Sequence, residues 1–226
     1  MADFTFAHRD EGFDNHIDQS IRHYSTLHDD IVKMSRYFVE DDTNIYDLGC
    51  STGKTLGAMI KQNTFAPHAH YIGIEHAEGF KEAMDLRMRE HEVDDLELRF
   101  EDVRETDMHN ASLITSIFTL QFMPRKDRQE TLNKVYDALN PGGAFIFGEK
   151  TYSCSPKVQD ILTFMFYDHK RESFSAEDIM NKEQTLRNML KPNTWSELNE
   201  MLEEAGFESV QTFWQNHLFV GAIAIK

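Results

Sequence analysis

The sequence predicts an α/β protein built on a doubly wound, mainly parallel sheet, and three observations carry that prediction. Strand-like and helix-like segments alternate from Ile45 to Gly148. A glycine-rich turn, Gly49-Cys50-Ser51-Thr52-Gly53, follows the first strand directly. The next two strands both end on acids, Glu75 and Glu101-Asp102. Alternation of this kind favours parallel strands covered by helices on both faces.

Phe13 to Phe38 reads as one or two amphipathic helices, with Ile17, Ile21, Tyr24, Leu27, Ile31, Met34 and Tyr37 at mixed spacings of three and four. Asp41-Asp42-Thr43-Asn44 breaks that pattern before the first strand, Ile45-Tyr46-Asp47-Leu48. Thr55 to Ile60 begins a helix, and His70 to Ile74 is a second strand ending in Glu75. A helical stretch, Glu78 to His91, precedes a third strand, Leu96 to Phe100, and Leu113 to Thr119 is a fourth. Arg125 to Leu139 is a helix closed by Asn140-Pro141-Gly142-Gly143, and Ala144 to Gly148 is the fifth strand. Lys157 to Met189 reads as a mostly helical insertion, and Trp195 to Ala205 as a helix ended by Gly206. Two closing strands, near Val210 to Trp214 and Leu218 to Ile225, are spaced to form an antiparallel edge. The expected organisation is one domain, residues 1–226, with residues 1–40 and 151–192 as helical covers over the ligand end of the sheet.

The 226 residues, 40% hydrophobic with 17 Phe, suffice for one such domain. A formal charge of −16 opposes non-specific attraction to nucleic acid or anionic membranes. No apolar run approaches the roughly 20 residues that span a bilayer. Met1-Ala2-Asp3-Phe4 lacks the layout of a signal peptide, and Cys50 and Cys154 cannot make a disulfide framework, so a cytoplasmic location is expected. No Cys/His spacing reads as a metal site. Two basic clusters, Arg125-Lys126-Asp127-Arg128 and His169-Lys170-Arg171, read as solvated helix faces. Phe164-Met165-Phe166-Tyr167 reads as core or dimer contact, and Cys50 as a small packing residue.

In an open α/β sheet, ligands bind beyond the carboxyl ends of the strands, where strand order reverses. The turn after the first strand lies there, and three chemistries compete for it. A phosphate-binding loop needs four residues between its glycines, whereas Gly49 and Gly53 enclose three. A hydrolase nucleophile turn, Gly-x-Ser-x-Gly with Ser51 and a late His217, normally follows several strands rather than the first. The third reading is an S-adenosylmethionine (SAM) loop, with Asp47 and Gly49 facing the methionine portion. It requires an acid for the ribose diol at the end of the next strand, and Glu75 stands there, 26 residues after Gly49. It also requires a polar acceptor for the adenine amine after the third strand, which Asp102 supplies.

The chain also resembles the carboxy-S-adenosylmethionine synthases of wobble-uridine tRNA modification, within the class I SAM-dependent methyltransferase superfamily. The matching stretches are Tyr46-Asp47-Leu48-Gly49-Cys50-Ser51, Phe118-Thr119-Leu120-Gln121-Phe122, Leu139-Asn140-Pro141-Gly142-Gly143-Ala144, Glu149-Lys150, Asp168-His169-Lys170-Arg171 and Ala205-Gly206-Phe207. The resemblance implies the Rossmann-like fold of that superfamily, SAM or carboxy-SAM as cofactor, and a homodimer. It implies that Tyr24 covers the cofactor and that Gly49, Cys50 and Ser51 line the methionine end. Glu75 and His76 would hold the ribose, Asp102 and Val103 would frame the adenine, and Ile117 and Phe118 would border the site, Ile117 where the family carries Asn.

The family binds the carboxylate of carboxy-SAM, made from SAM and prephenate, through an arginine in the inserted region. The alignment with fewest gaps places Glu183 there, and a shifted gap places Arg187. A carboxylate facing a carboxylate in a poorly solvated pocket costs several kcal/mol, roughly. The reading therefore favours ordinary methyl transfer to a small molecule over carboxy-SAM synthesis, with a non-catalytic SAM-binding protein as a third alternative. His169, Tyr167 and His76 are candidates for a general base, and none is assigned.

Overall fold

A computed structural model describes residues 12–89 and 96–226. Its strands are β1 (Asn44–Leu48), β2 (His70–Glu75), β3 (Leu96–Phe100), β4 (Ala111–Ile117), β5 (Leu139–Tyr152), β6 (Asn193–Thr194), β7 (Ser209–Asn216) and β8 (Phe219–Ile225). Its α-helices are α1 (Phe13–Ser20), α2 (Tyr24–Ser35), α3 (Lys54–Gln62), α4 (Lys81–Met88), α5 (Arg125–Ala138), α6 (Pro156–Lys170), α7 (Ala176–Met189) and α8 (Trp195–Ala205).

The sheet runs β3-β2-β1-β4-β5-β8-β7, with the two-residue β6 beside β5. The strands from β3 to β5 are parallel, and β8 lies antiparallel to both β5 and β7. Strand order reverses between β1 and β4, so the ligand crevice of a doubly wound sheet opens at their carboxyl ends. Alternation along each strand sorts the apolar residues into two cores. Ile45, Leu113, Ala144 and Ile146 face the side packed by Leu27 and Ile31 of α2 and by Leu56 and Met59 of α3. Tyr46, Leu48, Phe145 and Phe147 face the side packed by Leu132 and Val135 of α5 and by Leu198 and Leu202 of α8. The start of α8 is fixed by a capping box, in which Thr194 and Glu197 each accept the other's backbone N–H.

The structure refines several boundaries. The Phe13–Phe38 region is two helices, broken at Ile21–His23 where His23 takes a left-handed φ of 61°, and Tyr37 lies exposed past the second. The Glu78–His91 stretch is a 3-10 turn followed by α4, and His91 lies outside the described residues. The fourth strand stops two residues early, because Phe118 (φ 58°) donates its N–H to Gly148 O at 2.7 Å and turns the chain out of the sheet. Asn140 to Gly143 do not form a separate turn. They belong to β5, where the Gly142 N–H pairs with Lys226 O at 2.8 Å. Of the closing strands, only β7 is an edge, since β8 lies inside the sheet.

Neither basic cluster is wholly solvated. Arg128 is 2% exposed, and its guanidinium donates to Gln121 O (3.2 Å), Met123 O (2.8 Å) and Asn193 Oδ1. Lys170 of the second cluster is equally buried. Arg128 thus joins the loop after β4 to the strand before α8, and its loss strands three buried acceptors. Arg128→Ala is expected to lower stability by about 2–4 kcal/mol, read as a shifted urea midpoint at constant m-value.

Candidate cofactor site

The glycine-rich turn is wound tightly against β2. Gly49 and Cys50 both donate their N–H to Ile74 O, at 2.8 and 3.0 Å, and Gly53 donates to Cys50 O at 2.8 Å. The Ser51 N–H donates to Glu75 Oε2 at 2.8 Å. These four N–H groups are therefore consumed within the protein, so the turn offers no phosphate cradle of the P-loop kind. Ser51 Oγ leans back onto Gly49 O (3.4 Å), while His217 sits in the β7–β8 turn beside Arg22 and His169. Gly49 (φ 73°) must be glycine, because a Cβ there would fall 2.2 Å from Thr119 Oγ1.

Two buried acids flank this turn. Asp47 accepts the Thr115 hydroxyl at 2.9 Å, and burial, helped by the nearby Glu75 charge, pushes its carboxyl up to about 7. Glu75 is also raised by burial, although its two oxygens accept the N–H groups of Ser51 (2.8 Å) and Ala77 (2.7 Å). A carboxylate offers about four acceptor positions, so these contacts do not exhaust it. Tyr24 is buried at the same place, its hydroxyl held protonated by burial and by the negative field of Asp14, Asp18 and Asp47. Its ring lies 6.1 Å from that of Phe118. Cys50 is buried, packs its sulfur against Met84 Sδ and is pushed well up by burial, in keeping with a packing role.

The structure thus gathers Tyr24, Asp47, Gly49, Cys50, Ser51, Glu75 and Phe118 around the β1 tip, with Ile117 at the end of β4. His76 is exposed and lies within electrostatic reach of Asp102, and Val103 is buried beside it. Asp102 differs from the expectation in one respect. Arg104 grips its carboxylate through Nε (3.0 and 3.1 Å) and Nη2 (2.5 Å) and holds it below the usual carboxylate range. Arg104 is tied in turn to Asp127 at 2.9 Å, so Asp102 presents only what this clamp leaves open.

Sequence reasoning missed the strap across the turn. Asp14 of α1 accepts Thr52 Oγ1 (2.8 Å) and Arg87 Nη2 (2.7 Å), and Arg87 Nη1 also donates to Thr52 (2.9 Å). One turn on, Asp18 pairs with Lys54 at 3.3 Å, and the Lys54 ammonium lies 5.3 Å from the Tyr24 ring. An acid on each turn of a predicted cover helix was the available signal. Thr119 was also missed, although it stands inside a stretch singled out for its resemblance.

Arg187 and Glu183 are grouped at the other end of an aromatic row from Tyr24. Phe118 meets Phe219 at 5.4 Å, and Phe219 meets Phe166 at 5.4 Å. Beyond that row, Glu183 is buried with its Oε1 at 3.6 Å from Lys170 Nζ, and Arg187 acts on Tyr167 and Lys150. His169 is half-buried and 3.8 Å from Glu172. Among the described residues no His/Cys/Asp/Glu group is arranged to hold a metal, and no helix is long and apolar enough to cross a membrane.

Comparison with known proteins agrees with this geometry. A family described as "Methyltransferase domain" matches residues 46–145. A carboxy-S-adenosyl-L-methionine synthase of Staphylococcus epidermidis is 37% identical over 215 residues, covering 95% of this chain and 92% of that protein. A protein of the same name from Shewanella sp. (strain W3-18-1) is 31% identical over 229 residues, covering 100% of this chain and 94% of its own. The cyclopropane synthase MmaA2 of Mycobacterium tuberculosis shares the fold, with a TM-score of 0.61 at 12% identity over 81% of this chain and 62% of its own. By fold and by relatives of matching length, the chain belongs to the carboxy-S-adenosyl-L-methionine synthase family of the class I SAM-dependent methyltransferases.

Proposed function

We propose that this protein transfers a methyl group from SAM to a small-molecule acceptor. The observation that carries the proposal is the buried pair Asp47 and Glu75, both raised by burial, at the carboxyl ends of the neighbouring strands β1 and β2. Such a place is made favourable by a ligand that brings its own positive charge, and SAM brings a sulfonium and an ammonium. SAM also supplies an activated methyl group, so the protein's task is to position the acceptor and exclude water. Glu75 would hold the ribose diol, Asp102 and Val103 would face the adenine, and Tyr24 and Phe118 would wall the methyl end. A neutral Tyr24 hydroxyl there can donate a hydrogen bond and does not act as a base.

Two experiments test the reading. Mass spectrometry of ligand released from the purified protein is expected to find SAM or S-adenosylhomocysteine. In calorimetry, Glu75→Ala is expected to weaken SAM binding by at least about 1.5 kcal/mol, through lost charge-assisted hydrogen bonds. An unaltered affinity would remove Glu75 from the ribose site.

A second reading, carboxy-SAM synthesis from SAM and prephenate for tRNA wobble-uridine modification, is favoured by the 37% identity to a synthase of that name. It predicts a released species heavier than SAM by the mass of carbon dioxide. Burial of Glu183 in the inserted region favours the first reading. We further propose a cytoplasmic homodimer without direct nucleic-acid contact. The exposed stripe Val158, Ile161, Phe164 and Met165 on α6 suits a self-association face, and the charge of −16 repels phosphate.

A further inference from the structure

Helix α1 is held against the glycine turn more by charge than by apolar contact. Ser20 is the one fully buried residue of its eight, whereas α2 buries five of its twelve. Its apolar hold is partial: the Phe13 ring meets Phe80 edge-on with centroids 4.9 Å apart, and Ile17 is half-buried against the core. On its other side His16 meets Phe174 and Lys182 of the inserted region. The backbone is left-handed on both flanks of α1, at Gly12 (φ 81°) and at His23 (φ 61°), so the helix is bounded by two abrupt bends.

The polar hold closes on itself. The Thr52 hydroxyl donates to Asp14 Oδ1 at 2.8 Å and accepts from Arg87 Nη1 at 2.9 Å, while Arg87 Nη2 donates to Asp14 Oδ2 at 2.7 Å. This ring joins α1, the glycine turn and α4, and Thr52 stands one residue past Ser51. Only a planar fork can serve the carboxylate and the hydroxyl beside it together, which is why the cation is an arginine. One helical turn along α1, the Asp18–Lys54 pair reaches the Tyr24 wall of the crevice, with the ammonium 5.3 Å from that ring. Asp14 and Arg87 are 29% and 31% exposed, so salt in solution screens the pair. A short element with little buried surface and partly exposed ionic ties opens without global unfolding.

We propose that Arg87 is a positioning residue that acts through Asp14 and Thr52: it latches α1 over the glycine turn, and opening of that latch sets how fast SAM enters and leaves. The proposal rests on reading the turn as the SAM site. A latch of this kind lies on the path of the ligand in both directions, so loosening it speeds entry and exit together. A damaged binding site behaves otherwise, because it speeds exit alone.

Surface plasmon resonance with SAM over immobilised protein tests this. Arg87→Gln is expected to raise the association and dissociation rate constants together, each by about threefold or more, with little change in their ratio. Asp14→Asn should do the same, and the double variant should be no faster than either single one, since both break one ring. Raising sodium chloride from about 0.05 M to about 0.5 M should speed dissociation from wild type and alter Arg87→Gln much less. In the ligand-free protein, α1 amides should exchange hydrogen faster in Arg87→Gln while β1 and β4 exchange as in wild type. Unchanged rate constants, or faster exit without faster entry, overturn the proposal. Should Arg87→Gln fail to fold, the two rate constants of Asp14→Asn decide by the same criterion. If wild type does not bind SAM, the cofactor reading fails by itself. Hydrogen exchange then decides the latch: faster exchange in α1 keeps it, and unaltered exchange removes it.

Discussion

Gly49→Ala is expected to abolish measurable SAM binding and to destabilise the protein by about 2–5 kcal/mol, the sum of two penalties. The first is backbone strain, since φ at Gly49 is 73°, where a Cβ meets its own chain. The second is collision, because the new Cβ would stand 2.2 Å from Thr119 Oγ1 and 2.6 Å from its Cγ2. Thr119 is poorly able to retreat. It is β-branched, and its hydroxyl is anchored on Leu48 O at 2.9 Å. Adding Thr119→Ala to Gly49→Ala should restore part of the urea midpoint, the part owed to collision. It should not restore SAM affinity, because the turn would still be displaced. A single variant that binds SAM within about threefold of wild type would show that the turn does not shape the ligand site.

Asp47→Asn is expected to strengthen the ligand-free protein at alkaline pH while weakening SAM binding. The folded pKa of Asp47 is raised from 3.8 to about 7, so the fold favours the neutral acid. A raised pKa contributes stability that is fully present below the unfolded value and is lost as pH rises through the folded value. The ligand-free protein should therefore lose stability between about pH 4 and pH 7 on this account, by a few kcal/mol, on the order of three pH units' worth of linkage. Asparagine removes that loss. Glu149, pushed up to about 8 by burial, is unchanged in the comparison, so the difference between the two stability curves isolates Asp47. A cationic ligand reverses the preference and draws the proton off, so wild-type SAM affinity should rise with pH up to about 7, with proton release, and level off above it. The variant should bind about 10- to 100-fold more weakly with a flatter profile. Calorimetry in two buffers of different ionisation enthalpy reads the proton directly. Equal proton release in wild type and variant would place the titrating group elsewhere.

The crevice was legible in the sequence where its determinants are local. A short apolar strand, a glycine turn and an acid at the next strand end are set by neighbours in the chain, and Asp47, Gly49 and Glu75 meet as their order implies. The fate of Asp102 was not legible. Its occupation by Arg104 is a contact of two residues' separation, yet it depends on the turn after β3 and on Asp127 from α5. The strap of Asp14, Thr52 and Arg87 joins three elements far apart in sequence, and nothing local says which face of α1 meets the turn. Arg128 and Lys170 were read as surface charge because composition cannot reveal burial. Arg128 is buried against Asn193, 65 residues along the chain, and Lys170 against Glu183 on the next helix.

Placing β8 between β5 and β7 has a consequence for biosynthesis. Until residues 219–225 have left the ribosome, one side of β5 has no hydrogen-bonding neighbour, and its run from Ala144 to Phe147 is wholly apolar. A nascent chain would carry that open, adhesive border until β8 emerges. The sheet therefore cannot close over β5 until β8 is available to pair, and chaperone dependence should concentrate in the interval before it does.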